Sequence, residues 1–251
     1  MKALCIVGLA LLTGLIQGGA SKPATDRELD GFTGPVKSVL LESSLISSSD
    51  GGRRTGSPCR QTADVYDKTG RLLQHSAYLG RCGSDEIRAE YSYAADGSRT
   101  RKTRGIQGSG GSSPGFTDGS STAEDTRQHR EIFTYDSSRR ITEATTVQAN
   151  GKVKYKSRYN YNAQGRMIEI AEYGDDGRGP ARRAYRYEGD SQVPFEFIYY
   201  GHDGQAYSKT TYTDYEFNSQ GDWVKRKETD QRSNRKYVSW TLRKIEYYPS
   251  S

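Results

Sequence analysis

A short unit recurs along the chain and constrains the fold more than any other feature: an aromatic residue, three mostly polar residues and then glycine. Asp or Asn near the start of such a unit and Gly at its end are the residue preferences of a type I turn followed by a left-handed residue. Each unit therefore predicts a tight hairpin turn. The units open at Tyr66, Tyr93, Tyr161, Tyr173, Tyr200 and Phe217, and two copies that lack the glycine open at Tyr135 and Tyr187.

Aromatic residues also stand two apart just before most of these turns. Tyr91 and Tyr93 form one such pair, and Tyr159 and Tyr161 form another. Residues two apart lie on the same face of a strand, so each unit predicts a strand with an aromatic face. An isolated hairpin is marginal in water, and the units must therefore associate. The sequence predicts an all-β antiparallel meander of these hairpins, which forms a curved sheet or an open, barrel-like stack with a tyrosine-rich interior.

Composition supports a folded chain of this kind. Aliphatic side chains are scarce and the mean hydropathy is −0.88, whereas the chain contains 19 tyrosines. Tyrosine favours strands and can bury its ring while its hydroxyl stays at the wet edge. Disordered chains are depleted in aromatic residues, so disorder is disfavoured.

The first twenty residues predict export from the cytoplasm. Lys2 precedes an apolar run of 14 residues from Ala3 to Ile16, and small residues follow up to Ala20. This is the pattern of a secretory signal peptide over 1–20, cleaved after Ala20. The run is too short for a membrane-spanning helix, which needs about 20 apolar residues. We therefore expect a periplasmic or extracellular mature protein with no transmembrane segment.

Two cysteines, Cys59 and Cys82, remain after removal of the signal peptide. An even number of cysteines in an exported chain favours a disulfide between them, and two free thiols are the alternative. Two thiols without a nearby histidine pair fall short of the four ligands of a structural zinc site. We therefore expect no metal site, and nothing in the sequence indicates a cofactor.

The organisation of the mature chain follows from its composition. Residues 21–33 are expected to form a flexible N-terminal segment, and residues 34–251 are assigned to one β domain. Two polar stretches rich in Ser and Gly, 43–58 and 105–122, are expected to be loops within this domain. No helix is expected outside the signal peptide.

The units YDKTGRL at Tyr66, YDSSRRI at Tyr135 and YNAQGRM at Tyr161 resemble the Tyr-Asp (YD) repeat of RHS proteins, which runs Tyr-Asp, two or three loose residues and Gly-Arg-Leu. The resemblance covers residues 60–248. It implies β-sheets that can wind into a shell, and a structural or carrying role. The chain is too short to enclose a cargo domain as RHS proteins do. In its length it is more similar to the small exported repeat proteins of bacteria.

No group of residues indicates an active site. The sequence contains three histidines, His75, His129 and His202. None has Cys or His at metal-ligand spacing, and no serine lies in a GxSxG elbow. Asp175, Asp176 and Asp203 could form a carboxylate site, but they occupy turn positions where Asp accepts backbone hydrogen bonds. The protein is therefore expected not to be an enzyme.

Basic residues provide the clearest indication of binding. Alternation along residues 152–161 places four cations, Lys152, Lys154, Lys156 and Arg158, on the face opposite the tyrosines. Residues 222–247 add eight cations against four anions. A cationic strip can hold an acidic glycan, a lipid headgroup or a nucleic acid, of which nucleic acid fits an exported protein least. Lysines on the solvent face of a sheet also suppress edge-to-edge aggregation, which is the alternative role.

The function that the sequence favours is that of a non-catalytic exported repeat protein. It would act as a structural or binding module at the bacterial envelope, with an anionic glycan or a protein as its partner. Two alternatives stay open. An envelope-polymer hydrolase would need convergent carboxylates in a cleft. A toxin-neutralising, immunity-type protein would use a broad sheet surface.

Overall fold

The computed structural model describes residues 25–32, 34–49, 52–79, 82–106, 127–176, 178–232 and 235–249. Within these ranges the chain forms one single-turn helix, α1 (Asp26–Leu29), and fifteen β-strands. The strands are β1 (Val36–Ser49), β2 (Gly52–Thr55), β3 (Cys59–Tyr66), β4 (Leu72–Leu79), β5 (Asp85–Tyr93), β6 (Arg99–Ile106), β7 (Arg127–Tyr135), β8 (Ile141–Gln148), β9 (Val153–Tyr161), β10 (Met167–Gly174), β11 (Ala181–Arg186), β12 (Glu196–Tyr200), β13 (Ala206–Phe217), β14 (Trp223–Arg232) and β15 (Arg235–Tyr247).

The strands form a closed antiparallel barrel. From β3 to β15 the order in the sheet follows the order in the chain. β1 lies between the two ends of this series, with Val39 opposite Asp64 on β3 and opposite Ile245 on β15. β2 pairs only with residues 46–49 of β1, so the barrel itself has fourteen strands. The predicted antiparallel all-β meander is confirmed, and it closes on itself through the pairing of β1 with β15.

The predicted turns have the expected geometry. In the first of them the amide of Gly70 donates to the carbonyl of Asp67 at 3.0 Å, and Gly70 has a φ of +89°. One carboxylate oxygen of Asp67 accepts the amides of Thr69 and Arg71. In the unit at Tyr135, which lacks the glycine, Arg139 takes the left-handed conformation with a φ of +64°.

Most of these turns lie at the same end of the barrel, because each is separated from the next by two antiparallel strands. We call this end, which carries the turns at 67–70, 94–97, 136–139, 162–165 and 218–221, the turn end. The opposite end, which carries the connections at 149–152, 175–180 and 201–205, is the loop end.

Tyrosine hydroxyls tie neighbouring strands together at the turn end. The hydroxyl of Tyr187, just after β11, donates to the carbonyl of Met167 at the start of β10, at 2.9 Å. The same bond recurs, at 2.7 to 3.0 Å, from Tyr93 to Leu72, Tyr161 to Ile141 and Tyr215 to Pro194. Tyr248, just after β15, reaches past β1 and donates to the carbonyl of Tyr66 at the end of β3, at 2.7 Å. Because these bonds are distributed around the barrel, they fasten successive hairpins to one another.

Arginines that follow the turns pack on the same tyrosines. Three pairs have this geometry: Arg71 over Tyr93 at 5.2 Å, Arg140 over Tyr161 at 4.7 Å and Arg166 over Tyr187 at 4.9 Å from guanidinium carbon to ring centroid. Each cation–π contact is worth about 0.5–1 kcal/mol at an exposed site and more when desolvated. The arginine of one hairpin thus stacks on the tyrosine of the next, and this packing explains the recurring basic residue after the turn.

Alternation separates an aromatic inner face from a charged outer face. On β9 the inner residues are Tyr155, Ser157, Tyr159 and Tyr161. Arg101 on β6 hydrogen-bonds Tyr155 across two intervening strands, a reach that the concave side of a curved sheet permits. On the outer face, Lys156 and Arg158 pair with Glu143 at 3.2 and 3.3 Å.

The N-terminal segment, residues 25–32, packs against the inner face at the turn end. Thr25 and Glu28 form a capping box that starts α1. Phe32 is buried and meets the ring of Tyr66 edge-on at 6.2 Å between centroids. The main apolar cluster of the described residues lies here and comprises Phe32, Val36, Val39, Tyr66 and Leu72.

The structure differs from three of the predicted segments. The flexible segment predicted over 21–33 contains α1 and the buried Phe32, because the capping box and the barrel wall hold it. The loop predicted over 43–58 contains the end of β1 and all of β2, since backbone pairing does not require apolar side chains. The loop predicted over 105–122 starts within β6, and its part from 107 onward lies outside the described residues.

The predicted signal peptide, 1–20, also lies outside the described residues, whereas the predicted disulfide is confirmed. Cys59 and Cys82 are bonded, with their Cα atoms 4.4 Å apart. The bond joins the start of β3 to the connection between β4 and β5 at the loop end. The chain-entropy model gives a loop of this length about 3 kcal/mol of stabilisation.

Removing one tyrosine hydroxyl tests the ties at the turn end. Tyr187→Phe keeps the ring under Arg166 but leaves the carbonyl of Met167 without this donor. We expect the free energy of unfolding to fall by about 1 kcal/mol, the net value of one hydrogen bond, in urea titrations followed by circular dichroism. Tyr173→Phe is the control, because its ring lies under Arg158 on the outer face. Equal losses in the two variants would contradict this role.

Candidate functional site

A cavity of about 490 Å³ opens at the turn end, within the size range of small-molecule sites. The N-terminal segment forms one wall, and the starts of β8 and β10 with the ends of β9 and β11 form the opposite wall. We call it the turn-end cavity. Its lining combines carboxylates, arginines, tyrosine rings and aliphatic side chains.

Asp26 fastens the N-terminal segment to the barrel. Its carboxylate accepts the hydroxyl of Tyr93 at 2.6 Å and the amide of Leu72 at 2.9 Å. It also pairs with Arg99 at 2.7 Å, and Arg99 pairs on its other side with Glu131. Asp26 is thus bonded to three successive strands, β4, β5 and β6.

Asp30 is the second carboxylate of this wall. It accepts the hydroxyl of Tyr66 at 2.6 Å. Asp30 stays accessible to water through the cavity. Desolvation by the surrounding barrel nevertheless raises the pKa of its carboxyl from 3.8 to about 6. The hydrogen bond from Tyr66 lowers this pKa, and the negative charge of Asp64 raises it further. Asp64 in turn contacts Nδ1 of His75 at 2.6 Å, which raises the pKa of that imidazole. The two carboxyl groups therefore have different surroundings, since that of Asp30 accepts a tyrosine hydroxyl and that of Asp64 contacts an imidazole.

Arg166 provides the unbalanced positive charge of the opposite wall. Its Nη1 donates to the carbonyls of Gly189 and Ser191 at 2.7 and 2.9 Å. Its Nε is buried and has no hydrogen-bond partner among the described residues. Arg140, the neighbouring arginine, is by contrast paired with Asp136 at 2.6 Å. Within the described part of the chain, no carboxylate lies within ion-pair distance of Arg166.

Apolar surface adjoins these charges. Ile141, Met167 and Ile170 line the same cavity as Arg166, together with the ring of Tyr159. Ile141 and Ile170 are themselves buried in the barrel wall. The turn-end cavity is thus amphipathic, with a cationic group beside an apolar and aromatic floor. Such a site can hold a small molecule that has an anionic head and an apolar body.

The predicted basic strip lies elsewhere, on the outer face near the loop end. Lys152 pairs with Asp175 at 3.0 Å, and Lys156 and Arg158 share Glu143. Three of the four cations are therefore balanced by carboxylates. Binding of an anionic ligand to this strip stays a prediction.

Lys154, the fourth cation of the strip, does not continue the alternation. It stands at a bulge between β8 and β9, and its Nζ lies 3.5 Å from Nε2 of His129. His129 is buried on β7. The bulge turns this lysine to the side of the sheet on which His129 of β7 lies, beyond β8, because the extra residue breaks the two-residue repeat.

Two of the three aspartates considered as a carboxylate site have turn roles, and the third forms an ion pair. Asp176 accepts the amide of Arg178, and Asp203 accepts the amide of Gln205 at 3.0 Å. Asp175 pairs with Lys152. The turn interpretation is therefore supported by the hydrogen bonds themselves. Among the described residues no group of three or more His, Cys, Asp or Glu is arranged to hold a metal ion.

Sequence reasoning missed Asp26, Asp30 and the role of Arg166. The first two lie in the segment predicted to be flexible, although the Thr25 to Glu28 capping box signals a helix start. In the sequence, Arg166 is recognisable only as the basic residue that follows the turn at 162–165. Nothing in the local pattern indicates that its charge lacks a partner, because that depends on which strands the barrel brings together.

No family model and no curated protein sequence matches the chain. Solved structures with a similar fold include a porin-like protein from Bacteroides uniformis, with a TM-score of 0.47, 12% identity and coverage of 85% of this chain and 99% of that one. A putative outer membrane lipoprotein-sorting protein domain from Vibrio parahaemolyticus has a TM-score of 0.36 and 7% identity, with 90% and 91% covered. A DUF1329 family protein from Desulfovibrio piger has a TM-score of 0.30 and 12% identity, with 84% and 86% covered.

The resemblance to the YD repeat of RHS proteins is wrong. No family model supports it, and the similar solved structures cited above carry other descriptions. Its motif has a different physical origin in this chain. The tight turns account for Asp or Asn and Gly. The stacking of successive hairpins at the turn end accounts for Tyr and Arg.

No helix among the described residues is long and apolar enough to cross a membrane.

The raised pKa of Asp30 predicts a specific pH dependence. Because the folded state binds this proton more tightly than the unfolded state does, the contribution of Asp30 to stability falls as pH rises from about 4 to about 6. Asp30→Asn keeps an acceptor for Tyr66 and removes the titration, so we expect equal stability at pH 4 and higher stability than the wild type at pH 7. Urea midpoints at the two pH values measure this, with Glu188→Gln in an exposed turn as the control. A variant less stable than the wild type at pH 7 would contradict the assignment.

Proposed function

We propose that this protein is a non-catalytic binding module of the bacterial envelope that takes a small amphipathic anion into the turn-end cavity. The ligand's anionic head would lie at Arg166 and its apolar body against Ile170 and the ring of Tyr159. The proposed site is therefore a cavity within the barrel, in contrast to the basic strip on the outer face that the sequence predicts as a binding surface.

The observation that carries the proposal is the state of Arg166. Its Nε is buried without a hydrogen-bond partner in the described part of the chain, and no carboxylate there balances its charge. A partly buried cation without a counter-ion is costly, and an anionic ligand in the cavity that Arg166 lines would balance its charge. The stack on Tyr187 and the two backbone carbonyls already fix the guanidinium in place, so binding would require little ordering.

The remaining lining favours an amphipathic anion over a fully polar one. Ile141, Met167 and Ile170 offer apolar surface next to the arginine. A simple inorganic anion would leave this surface in contact with water, whereas an apolar tail would cover it at about 25 cal/mol per Å². The carboxylates of the opposite wall, Asp26 and Asp30, are engaged with the barrel and would exclude a second anionic group.

An envelope location accords with the chain's chemistry. The sequence begins with the pattern of a signal peptide, and the disulfide between Cys59 and Cys82 suits an oxidising compartment. The outer face carries ion pairs such as Lys156 with Glu143 and Lys225 with Glu216, as expected for a barrel wall that faces water.

One observation favours a second candidate, an envelope-polymer hydrolase. Asp30 lines the cavity with a pKa of about 6, a value suited to a general acid, and Asp26 lines the same cavity. If the protein hydrolyses a glycan, incubation with isolated cell-wall polymer will release reducing ends, and Asp30→Asn will abolish the release. We favour binding because both carboxylates hold the N-terminal segment to the barrel.

Three probes with a ten-carbon chain test the proposed ligand class. Decanoate, decanol and decyltrimethylammonium share an apolar tail and differ in the charge of the head. We expect decanoate to bind most tightly in isothermal titration calorimetry, and Arg166→Gln to weaken it about tenfold or more, because a hydrogen bond to a charged group is lost.

The matched control is Arg186→Gln on the outer face, where Arg186 pairs with Glu196 at 3.0 Å. This variant should bind decanoate like the wild type. Preference for the cationic probe, or equal weakening in the two arginine variants, would rule out the proposed role of Arg166.

A further inference from the structure

A second concave site lies at the loop end, beside the connection between β12 and β13. It encloses about 680 Å³ and is lined by Arg178, Gly179, Tyr199, Gly201, His202, Asp203 and Tyr207. We call it the loop-end groove. It is separated from the turn-end cavity by the length of the strands, and it shares no lining residue with it.

The ring of Tyr207 is exposed yet fixed. Tyr207 is 55% exposed, among the highest values of the described aromatic residues. Its hydroxyl donates to Oδ2 of Asp203 at 3.0 Å. The ring lies against Gly201, where an added Cβ would come within 2.1 Å of Cε2. Glycine at 201 and the bond to Asp203 therefore hold an accessible aromatic surface in one orientation.

Tyr199 supplies a second aromatic wall. Its ring centroid lies 6.4 Å from that of Tyr207, and the two ring planes are inclined by 45°. Two inclined rings form a shallow wedge that is open to solvent on one side. A flat, rigid ligand with apolar C–H groups on one face would fit such a wedge.

Hydrogen-bonding groups border these rings. Nδ1 of His202 lies 2.6 Å from the carbonyl of Gly179, which can only accept, so Nδ1 carries the proton and Nε2 of the neutral ring is an acceptor. Asp203 offers carboxylate oxygens, and the guanidinium of Arg178 is 72% exposed beside Asp176. The groove thus combines an aromatic platform with both donors and acceptors at its rim.

We propose that the loop-end groove is a carbohydrate-binding subsite for a neutral saccharide. A pyranose ring presents axial C–H groups that stack on tyrosine, and equatorial hydroxyls that both donate and accept at the rim. Arg178 and Asp203 bring opposite charges to the groove, so Asp203 would repel a strongly anionic ligand and Arg178 a strongly cationic one. This inference concerns a different end of the barrel and does not rest on the proposed function.

The test uses saturation-transfer difference NMR and calorimetry on the full mature chain with the tetramers of N-acetylglucosamine and of glucose, and with choline as a cationic probe. We expect at least one tetrasaccharide to bind with its C–H protons saturated. Tyr207→Ala should weaken its affinity about tenfold, the value of one aromatic contact. Tyr207→Phe keeps the ring and should retain most of the binding.

Two further variants separate the platform from a general effect on folding. Gly201→Ala removes no groove side chain but displaces the ring of Tyr207, and it should also lose binding. Tyr237→Ala removes another exposed tyrosine, outside the groove, and should bind like the wild type. The proposal is overturned if neither tetrasaccharide binds at millimolar concentration, if choline binds and the saccharides do not, or if Tyr207→Ala binds as the wild type does.

Discussion

The pairing of β1 with β15 is the constraint on which the rest of the structure depends. Without it the chain would be a long meander with two unpaired edges and no enclosed side. When β1 pairs with β15, the sheet encloses an interior, and the inner side chains of opposite strands face one another across it. A chain so poor in aliphatic residues can then be stable, because each of the fourteen strands of the barrel pairs with a strand on both sides and large aromatic side chains line the interior.

That interior is built from tyrosine and arginine more than from hydrocarbon. Arg99 illustrates the principle: it lies over the rings of Tyr91 and Phe133, at 4.8 and 5.1 Å, and pairs with Asp26 and Glu131. Each arginine contributes an apolar stem, a planar cation for an aromatic face and donors for a carboxylate. Such a lining leaves polar groups inside the barrel, and some of them, such as Nε of Arg166, have no hydrogen-bond partner among the described residues.

The two ends of the barrel have different chemistry because different side chains surround their connections. At the turn end, tight turns hold tyrosine and arginine in stacks, and the N-terminal segment narrows the opening to a cavity. At the loop end, the tight turn that starts at Gly201 brings the ring of Tyr207 against Gly201 and leaves the ring exposed. The charged outer wall between them is balanced by ion pairs such as Lys152 with Asp175. The two proposed sites therefore lie at the ends, where the strand pattern is interrupted.

The amino-acid sequence by itself determined the strands, the turns and the disulfide, because these depend on local rules. Tyr159 and Tyr161 two apart, Asn162 and Gly165 at the turn, and an even number of exported cysteines each carry their own signal. It also placed Lys156 and Arg158 opposite the tyrosines of β9, where the structure has them. Local rules likewise produced the mistaken YD-repeat resemblance, since tight turns of this type favour Asp or Asn and Gly whatever the family.

Only the tertiary structure decided closure, the position of the N-terminal segment and the state of each charge. Whether β1 meets β15 depends on the accumulated curvature of fourteen strands, which no single unit encodes. Asp26 bonds Arg99 across 73 positions of sequence, and Arg166 reaches the carbonyls of Gly189 and Ser191, so their roles exist only after folding. Partnership and burial are properties of the assembled barrel, because they depend on which distant residues come to share its interior.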